Sequence, residues 1–207
     1  MNAVQLYLIT FLLLTSPVKT PEKFQDMNNN QLQTATLGAG CFWCVEAIFL
    51  RVNGVEEVIS GYSGGKIANP TYREVSSGLT DHAEVVQVRF DPAVISYAKI
   101  LEIFFKTHNP TMLNRQGADI GTQYRSAIFY HTEEQKKVAE EVKQMLDKAG
   151  IWTDPIVTEI TSFKAFYKAE DYHQDYLSNN NRQPYCQMVI LPKIEKFEKL
   201  FEEYLKR

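Results

Sequence analysis

Cysteine is scarce in this chain. Only three thiols stand among 207 residues, at positions 41, 44 and 186. Three are too few and too unevenly placed for a disulfide-stapled scaffold, and the odd count favours reactive over structural use. No second pair of thiols or imidazoles stands at ligand spacing, so a zinc site is not expected around Cys41 and Cys44. A basic tract is also missing: 22 Lys and Arg oppose 25 Asp and Glu, for a formal net charge of −3. That balance argues against nucleic acid as the main partner. Long apolar runs are confined to Val4–Leu14, about half the length a membrane-spanning helix needs. There is no internal repeat, and the nearest thing to low complexity is Asn28-Asn29-Asn30-Gln31.

What is present describes one globular domain with a leader. The hydrophobic fraction of 44% in a chain of this length suffices for a sizeable core. Residues 1–20 read as a leader, because the apolar run has the length of a secretory h-region. Its flanks are less typical, with no Lys or Arg before it and a poor cleavage site in Thr15-Ser16-Pro17-Val18-Lys19-Thr20. The expectation is an exported, periplasmic protein, with a cytoplasmic one as the alternative. Residues 21–33 then serve as linker and 34–207 as the domain.

Within that domain, helical and strand-like patterns alternate. Strands are expected at Thr34–Ala39, Val55–Ser60, His82–Phe90, Arg125–Tyr130, Pro155–Ile160 and Tyr185–Leu191. Helices are expected at Cys41–Val52, after a Ser96 cap, and after a Thr132/Gln135 capping box with Val138, Val142, Met145 and Leu146 on its apolar face. Gly150 ends that helix. A short helix at Ala169–Leu177 and a terminal one at Ile194–Leu205 follow. The fold class is therefore α+β, a mixed or antiparallel sheet with helices packed on it.

The segment Gly40-Cys41-Phe42-Trp43-Cys44-Val45-Glu46 carries the most chemistry. A strand turning at Gly40 straight into a helix leaves Cys41 at the helix N-terminus, where free N–H groups and the dipole favour a thiolate. Cys44 lies one turn on, within reach of an oxidised sulfur on Cys41, and Cys186 is the other thiol able to resolve it. Phe42 and Trp43 are either core aromatics or an apolar cage for a methyl group. Glu84 shares a strand face with Val86, Val88 and Phe90, so its carboxyl should titrate high and can donate a proton near neutral pH. Tyr62 and Tyr124, beside glycines, are candidate donors to a polarised oxygen, with Asp119 nearby. His173, on a short polar helix, is expected to play a supporting role. Gly64-Gly65-Lys66 is not a phosphate loop, since Ile67 stands where Ser or Thr is needed.

Five segments appear in a telling order: Gly40-Cys41-Phe42-Trp43, Gly61-Tyr62-Ser63-Gly64-Gly65, Pro70-Thr71-Tyr72-Arg73-Glu74-Val75, His82-Ala83-Glu84 and Gly121-Thr122-Gln123-Tyr124-Arg125-Ser126. In this the chain resembles the peptide methionine sulfoxide reductase A family, over roughly residues 34 to 192. The resemblance implies a ferredoxin-like two-layer sandwich that reduces the S epimer of methionine sulfoxide, free or in proteins. By position it implies Cys41 as nucleophile, Glu84 as proton donor, and Tyr62 and Tyr124 as holders of the sulfoxide oxygen. Phe42 and Trp43 receive the methyl group, and Asp119 supports the hydrogen bonds. The product on Cys41 is a sulfenic acid, which a second thiol converts to a disulfide. Thioredoxin or an equivalent dithiol restores the enzyme, with no bound cofactor or metal.

Two departures leave the resolving thiol open. Many members of the family carry Gly where Cys44 stands, and others place a resolving cysteine about where Cys186 falls. A flexible loop before Cys186 would favour it, and a rigid Tyr185–Leu191 strand would favour Cys44. The rival reading is a general thiol–disulfide oxidoreductase using Cys41-x-x-Cys44. A third is a redox-inert module that holds methyl groups. A monomer is the default expectation.

Overall fold

The structure, a computed structural model, describes residues 32–207. The expected leader and most of the linker lie outside the described residues. Strand β1 (Gln33–Ala39) turns at Gly40 into helix α1 (Phe42–Phe49). The turn requires glycine: φ is +86°, and a Cβ there would sit 2.6 Å from the Gln116 side chain. Strand β2 (Val55–Ser63), the short helix α2 (Tyr72–Ser76) and strand β3 (Ala83–Phe90) follow. Helix α3 (Tyr97–Thr107) leads to a small hairpin of β4 (Arg115–Gln116) and β5 (Asp119–Ile120), then to β6 (Ser126–Tyr130). The second half contains α4 (Glu133–Lys148), β7 (Glu159–Ser162), β8 (Phe166–Lys168), α5 (Tyr176–Asn180) and α6 (Leu191–Leu200).

Six strands form one sheet in the order β7-β6-β1-β3-β2-β8, antiparallel except where β6 meets β7. Its centre, β6-β1-β3-β2, is built from the chain order β1-α1-β2-β3-α3-β6. That is the split β-α-β pattern of ferredoxin-like domains, and the expected α+β sandwich is what forms. Alternation along β3 assigns its residues to two faces. Val86, Val88 and Phe90 join α1, α3 and α6 in the main core, whereas Ala83 and Val85 turn to a smaller cluster with Ala127 and Phe129, closed by Phe163 and Phe166. Glu84 is thereby committed to the helix-covered face.

The caps follow expectation with one change. Ser96 accepts from the Lys99 amide, and Thr132 accepts from the Gln135 amide. The Gln135 side chain, however, accepts from His131 N–H at 2.9 Å and donates to the Thr34 carbonyl, so the box is not reciprocal. The amide instead ties α4 to β1. On α4, Val142 and Leu146 are buried while Met145 is exposed, and Gly150 ends the segment at φ +63°.

Four expectations are overturned. Tyr185–Leu191 is not a strand: Cys186–Ile190 forms a π-helical turn that runs directly into α6. The buried residues there are Cys186, Ile190, Ile194, Phe197 and Phe201, a spacing of four and three that belongs to a helix. Pro192 sits in the first turn of α6, where proline is tolerated. The strand expected to end at Ser60 runs on through Gly61-Tyr62-Ser63, paired with Ala83–Val85 on one side and Phe166–Lys168 on the other. Gly61 is needed because the Phe166 ring and Tyr167 carbonyl press onto it. The segment Ala169–Leu177 is broken into a 310 turn (Asp171–His173) and α5, with Asp175 left-handed at φ +47° between them. The strand expected at Pro155–Ile160 begins only at Glu159. Among the described residues no helix is long and apolar enough to cross a membrane.

Candidate active site

Cys41 is the cap residue of α1 and is buried, with Cys44 one turn on and also buried. The Cys44 amide donates to the Cys41 carbonyl at 3.1 Å, and the Phe42 amide donates to Glu84 Oε2 at 3.0 Å. The first helical N–H is therefore engaged by the carboxyl, not by the Cys41 sulfur. At this cap the ionisation expected of Cys41 is opposed by burial. Burial, then the neighbouring Cys44 sulfur, pushes the Cys41 thiol well up. Cys44 moves the other way, to about 7, because the Cys41 thiol hydrogen-bonds to it and Lys193 adds positive charge against the cost of burial. Contact between the two buried thiols thus shifts them in opposite directions.

Glu84 stands opposite Tyr62 in the β2–β3 pairing and is only 2% exposed. Burial pushes its carboxyl up to about 8, against the pull of the Phe42 amide and with help from Asp119 and Cys44. At pH 7 it is predominantly the neutral acid.

A cavity of about 160 Å³ brings these groups together. Of the residues singled out in the sequence, Cys41, Phe42, Trp43, Glu84, Asp119 and Tyr124 line it. Two more walls, Tyr72 and Tyr185, had not been assigned a role. Larger hollows of about 380 and 370 Å³ elsewhere contain neither Cys41 nor Glu84. Tyr62 does not line the cavity, which corrects its expected place. It is fully buried behind the site, 5.8 Å from the Phe42 ring, and its hydroxyl donates to Glu170 Oε2 at 3.0 Å. Glu170 Oε1 accepts from the Tyr72 amide at 2.8 Å, so one carboxylate anchors both β2 and α2. Tyr72 lay within a quoted motif, but its neighbours Thr71 and Glu74 form a capping box that masks it as ordinary helix start.

Burial keeps the Tyr72 phenol protonated, moved up to about 12, and pushes Tyr124 up too. Both residues line the cavity, and a protonated phenol is a hydrogen-bond donor. Tyr185 is committed differently. Its hydroxyl donates to Asp119 Oδ2 at 2.8 Å and lies 4.0 Å from the Cys44 sulfur.

The aromatic wall is held from behind. Trp43 Nε1 donates to His173 Nδ1 at 3.1 Å, its ring stacks on Tyr176 at 3.6 Å, and Tyr185 meets it edge-on. Because Nδ1 accepts, the His173 proton resides on Nε2, which faces Glu170 at 3.9 Å. Burial holds His173 below the usual imidazole range. Its supporting role, expected from sequence, is the orientation of the Trp43 indole. Cys186, fully buried in the π-helical turn, is not among the cavity's walls. Among the described residues no group of three or more His, Cys, Asp or Glu is placed to hold a metal ion.

Comparison with known proteins agrees with this constellation. The family model for peptide methionine sulfoxide reductase matches residues 33–205. The chain is 56% identical over 173 residues to the peptide methionine sulfoxide reductase MsrA of Sulfolobus acidocaldarius, covering 83% of this chain and 97% of that protein. It is 55% identical over 172 residues to the MsrA of Trichodesmium erythraeum, covering 83% and 97%. Among solved structures, reduced Mxr1 from Saccharomyces cerevisiae aligns with a TM-score of 0.69 at 35% identity, over 75% of this chain and 90% of that one. Methionine sulfoxide reductase A of Corynebacterium diphtheriae aligns with a TM-score of 0.66 at 35% identity, over 73% and 76%. This chain belongs to the peptide methionine sulfoxide reductase family.

Proposed function

We propose that the chain reduces the S epimer of methionine sulfoxide, free or within proteins, with Cys41 as nucleophile and Glu84 as acid. The observation that carries this is a thiol and a neutral buried carboxyl sharing one small aromatic-walled cavity. The methyl group lies against Phe42 and Trp43, and the sulfoxide oxygen faces Glu84 with the Tyr72 and Tyr124 hydroxyls as donors. Cys41 gives its proton to the Cys44 sulfur and attacks the substrate sulfur, while Glu84 protonates the departing oxygen. The protonated oxygen moves from the substrate sulfur to the Cys41 sulfur as the bond between the two sulfurs breaks, leaving a sulfenic acid on Cys41 and releasing the thioether as methionine.

Cys44 then attacks the Cys41 sulfur and expels water, leaving a Cys41–Cys44 disulfide. Positions three apart on a helix stand roughly 5–6 Å apart at Cβ, and a small adjustment suits a disulfide. This favours Cys44 over Cys186, which belongs to a packed helix rather than to a flexible loop. An external dithiol reduces the disulfide by exchange. A solved complex of Mxr1 with Trx2, similar to this chain with a TM-score of 0.50 at 26% identity, supports a thioredoxin-like donor.

The test is incubation with resolved S and R epimers of a methionine sulfoxide peptide and dithiothreitol. Loss of the S epimer alone is expected; consumption of neither would overturn the assignment. Export remains part of the reading, supported by the apolar run at Val4–Leu14, which lies ahead of the family-matched region. N-terminal sequencing of the native protein tests it, and an intact Met1 would refute removal of a leader.

A further inference from the structure

Helix α1 buries a carboxyl that the proposed chemistry does not use. Glu46 is 2% exposed, and its neighbours Val45, Ala47, Ile48 and Phe49 are apolar core. A carboxyl taken out of water needs hydrogen-bond donors. For Glu46 they come from 130 residues further along the chain: the Tyr176 amide donates to Oε2 at 3.3 Å. Burial raises the carboxyl, and the amides of Asp175 and Tyr176 hold it back.

Those amides, in turn, depend on an outside acceptor. They open α5, where Asp175 stands in the left-handed region at φ +47° and its side chain makes no cap. The Asp175 carboxylate accepts from the Ser178 hydroxyl at 2.7 Å instead. Left-handed backbone is disfavoured at a residue with a Cβ, so a carboxylate reaching in from α1 is what pins this junction.

The first residue of α5 backs the substrate cavity. Tyr176 stacks on Trp43 with ring centroids 3.6 Å apart and planes within 6°. Trp43 is a cavity wall and precedes Glu46 by three positions, so the two side chains leave α1 on the same side. One helix therefore presents the indole and, a turn later, the carboxylate that holds the backbone of the ring behind it. The His173 bond to Nε1 orients the indole edge, whereas the Tyr176 stack sets its plane.

We propose that Glu46 is a positioning residue for substrate binding: it fixes the Tyr176 backbone, and through the stacked ring it sets the plane of the Trp43 indole against which the substrate methyl group packs. The proposal rests on the reductase reading for its substrate, while the state of the indole can be read without turnover. An aromatic stack of this kind is worth about fivefold in an equilibrium. Sulfoxide binding should weaken by about that factor when the acceptor is removed, with the saturated rate of reduction nearly unchanged.

The experiment compares Glu46→Leu, which keeps volume and removes the acceptor, with Glu46→Gln, which keeps an acceptor oxygen. Both are made in a Trp152→Phe background, so that Trp43 is the one remaining tryptophan. A blocked S-sulfoxide is reduced in single turnovers without reductant, which keeps disulfide recycling out of the measurement. Glu46→Leu should raise the half-saturating concentration about fivefold, shift Trp43 emission to the red and increase its quenching by acrylamide. Glu46→Gln should restore all three. On top of Tyr176→Ala, Glu46→Leu should add nothing further, since both act through one contact.

Unchanged emission and half-saturation in Glu46→Leu would overturn the proposal, as would a loss that adds in full to that of Tyr176→Ala. A fall in the saturated rate alone would overturn it too. Should Glu46→Leu fail to fold, Glu46→Asp, one methylene shorter, takes its place with the same outcomes. Absence of sulfoxide reduction by the wild type would instead overturn the reductase reading, and the emission measurements would still decide whether Glu46 holds the stack.

Discussion

Replacing Glu84 with glutamine should make the protein more stable at high pH while disabling it. The carboxyl is moved from 4.5 to about 8, chiefly by burial. Across that window the folded chain holds a proton that the unfolded chain releases. The folded pKa is the higher one, so this contribution is fully present below the unfolded value and is lost as pH rises through the folded value. At about 1.4 kcal/mol per tenfold change, the whole effect is on the order of 5 kcal/mol. About 4 kcal/mol of it should develop between pH 5 and pH 9. Glutamine is neutral throughout and can still accept the Phe42 amide bond through its oxygen, so the local frame survives. Urea unfolding of wild type and Glu84→Gln at pH 5, 7 and 9 reads the difference directly. The variant should gain on the wild type by several kcal/mol over that range, because the other titrating groups cancel in the comparison. Sulfoxide reduction at pH 7 should fall by about 100-fold or more, the usual contribution of a general acid. Two parallel stability curves would refute the buried neutral acid, and with it the proton-donor role.

Other substitutions separate the remaining parts. Cys41→Ser should abolish reduction of the sulfoxide, whereas Cys44→Ser, deprived of the sulfur that takes the Cys41 proton, should release one methionine per chain more slowly than wild type and stop; single-turnover methionine release distinguishes them. Intact-mass and peptide mapping after one turnover should find a Cys41–Cys44 disulfide in the wild type and in Cys186→Ser, and its absence from both would reassign the resolving thiol. Tyr72→Phe should lower kcat/KM by about tenfold, the loss of one donor to the developing charge, with little change in stability. Tyr62→Phe should do the reverse, costing about 1 kcal/mol in unfolding experiments through the lost Glu170 bond; comparable loss of activity in both would refute the separation of the two phenols. His173→Ala should raise KM more than it lowers kcat, since it releases the Trp43 indole, and steady-state kinetics with a blocked methionine sulfoxide would show the split.

The proposed catalytic pair was legible because both of its members sit in short-range patterns. Gly40 marks the turn that puts Cys41 at the cap of α1, and period-two alternation along β3 aims Glu84 at the same core. The phenols were only half legible. Glycines on either side of Tyr62 imitate a turn, yet Gly61 is small because Phe166 and Tyr167 lie against it from an edge strand more than a hundred residues away. Tyr72 looks like an unremarkable first residue of a capped helix until Glu170 fixes its backbone beside the cavity. The terminal segment misled for another reason: Tyr185–Leu191 satisfies strand alternation locally, and only its continuation to Phe197 and Phe201 reveals the helical spacing.

The chain order from β1 through α1, β2, β3, α3 and β6 to α4, the junction that carries Cys41 and the face that receives Glu84 were determined by the sequence alone, because each depends on neighbours within a few residues. The protonation states were decided by tertiary packing. Burial beneath α1 and the sheet raises Glu84 to about 8, and the meeting of Cys41, Cys44 and Lys193 shifts the two thiols in opposite directions. The boundary of the cavity was decided there as well, since its walls come from α1, α2, β3, β5, the turn at Thr122–Tyr124 and the start of the terminal helical segment. A local pattern sets where a side chain points, whereas desolvation and pairing depend on everything that closes around it.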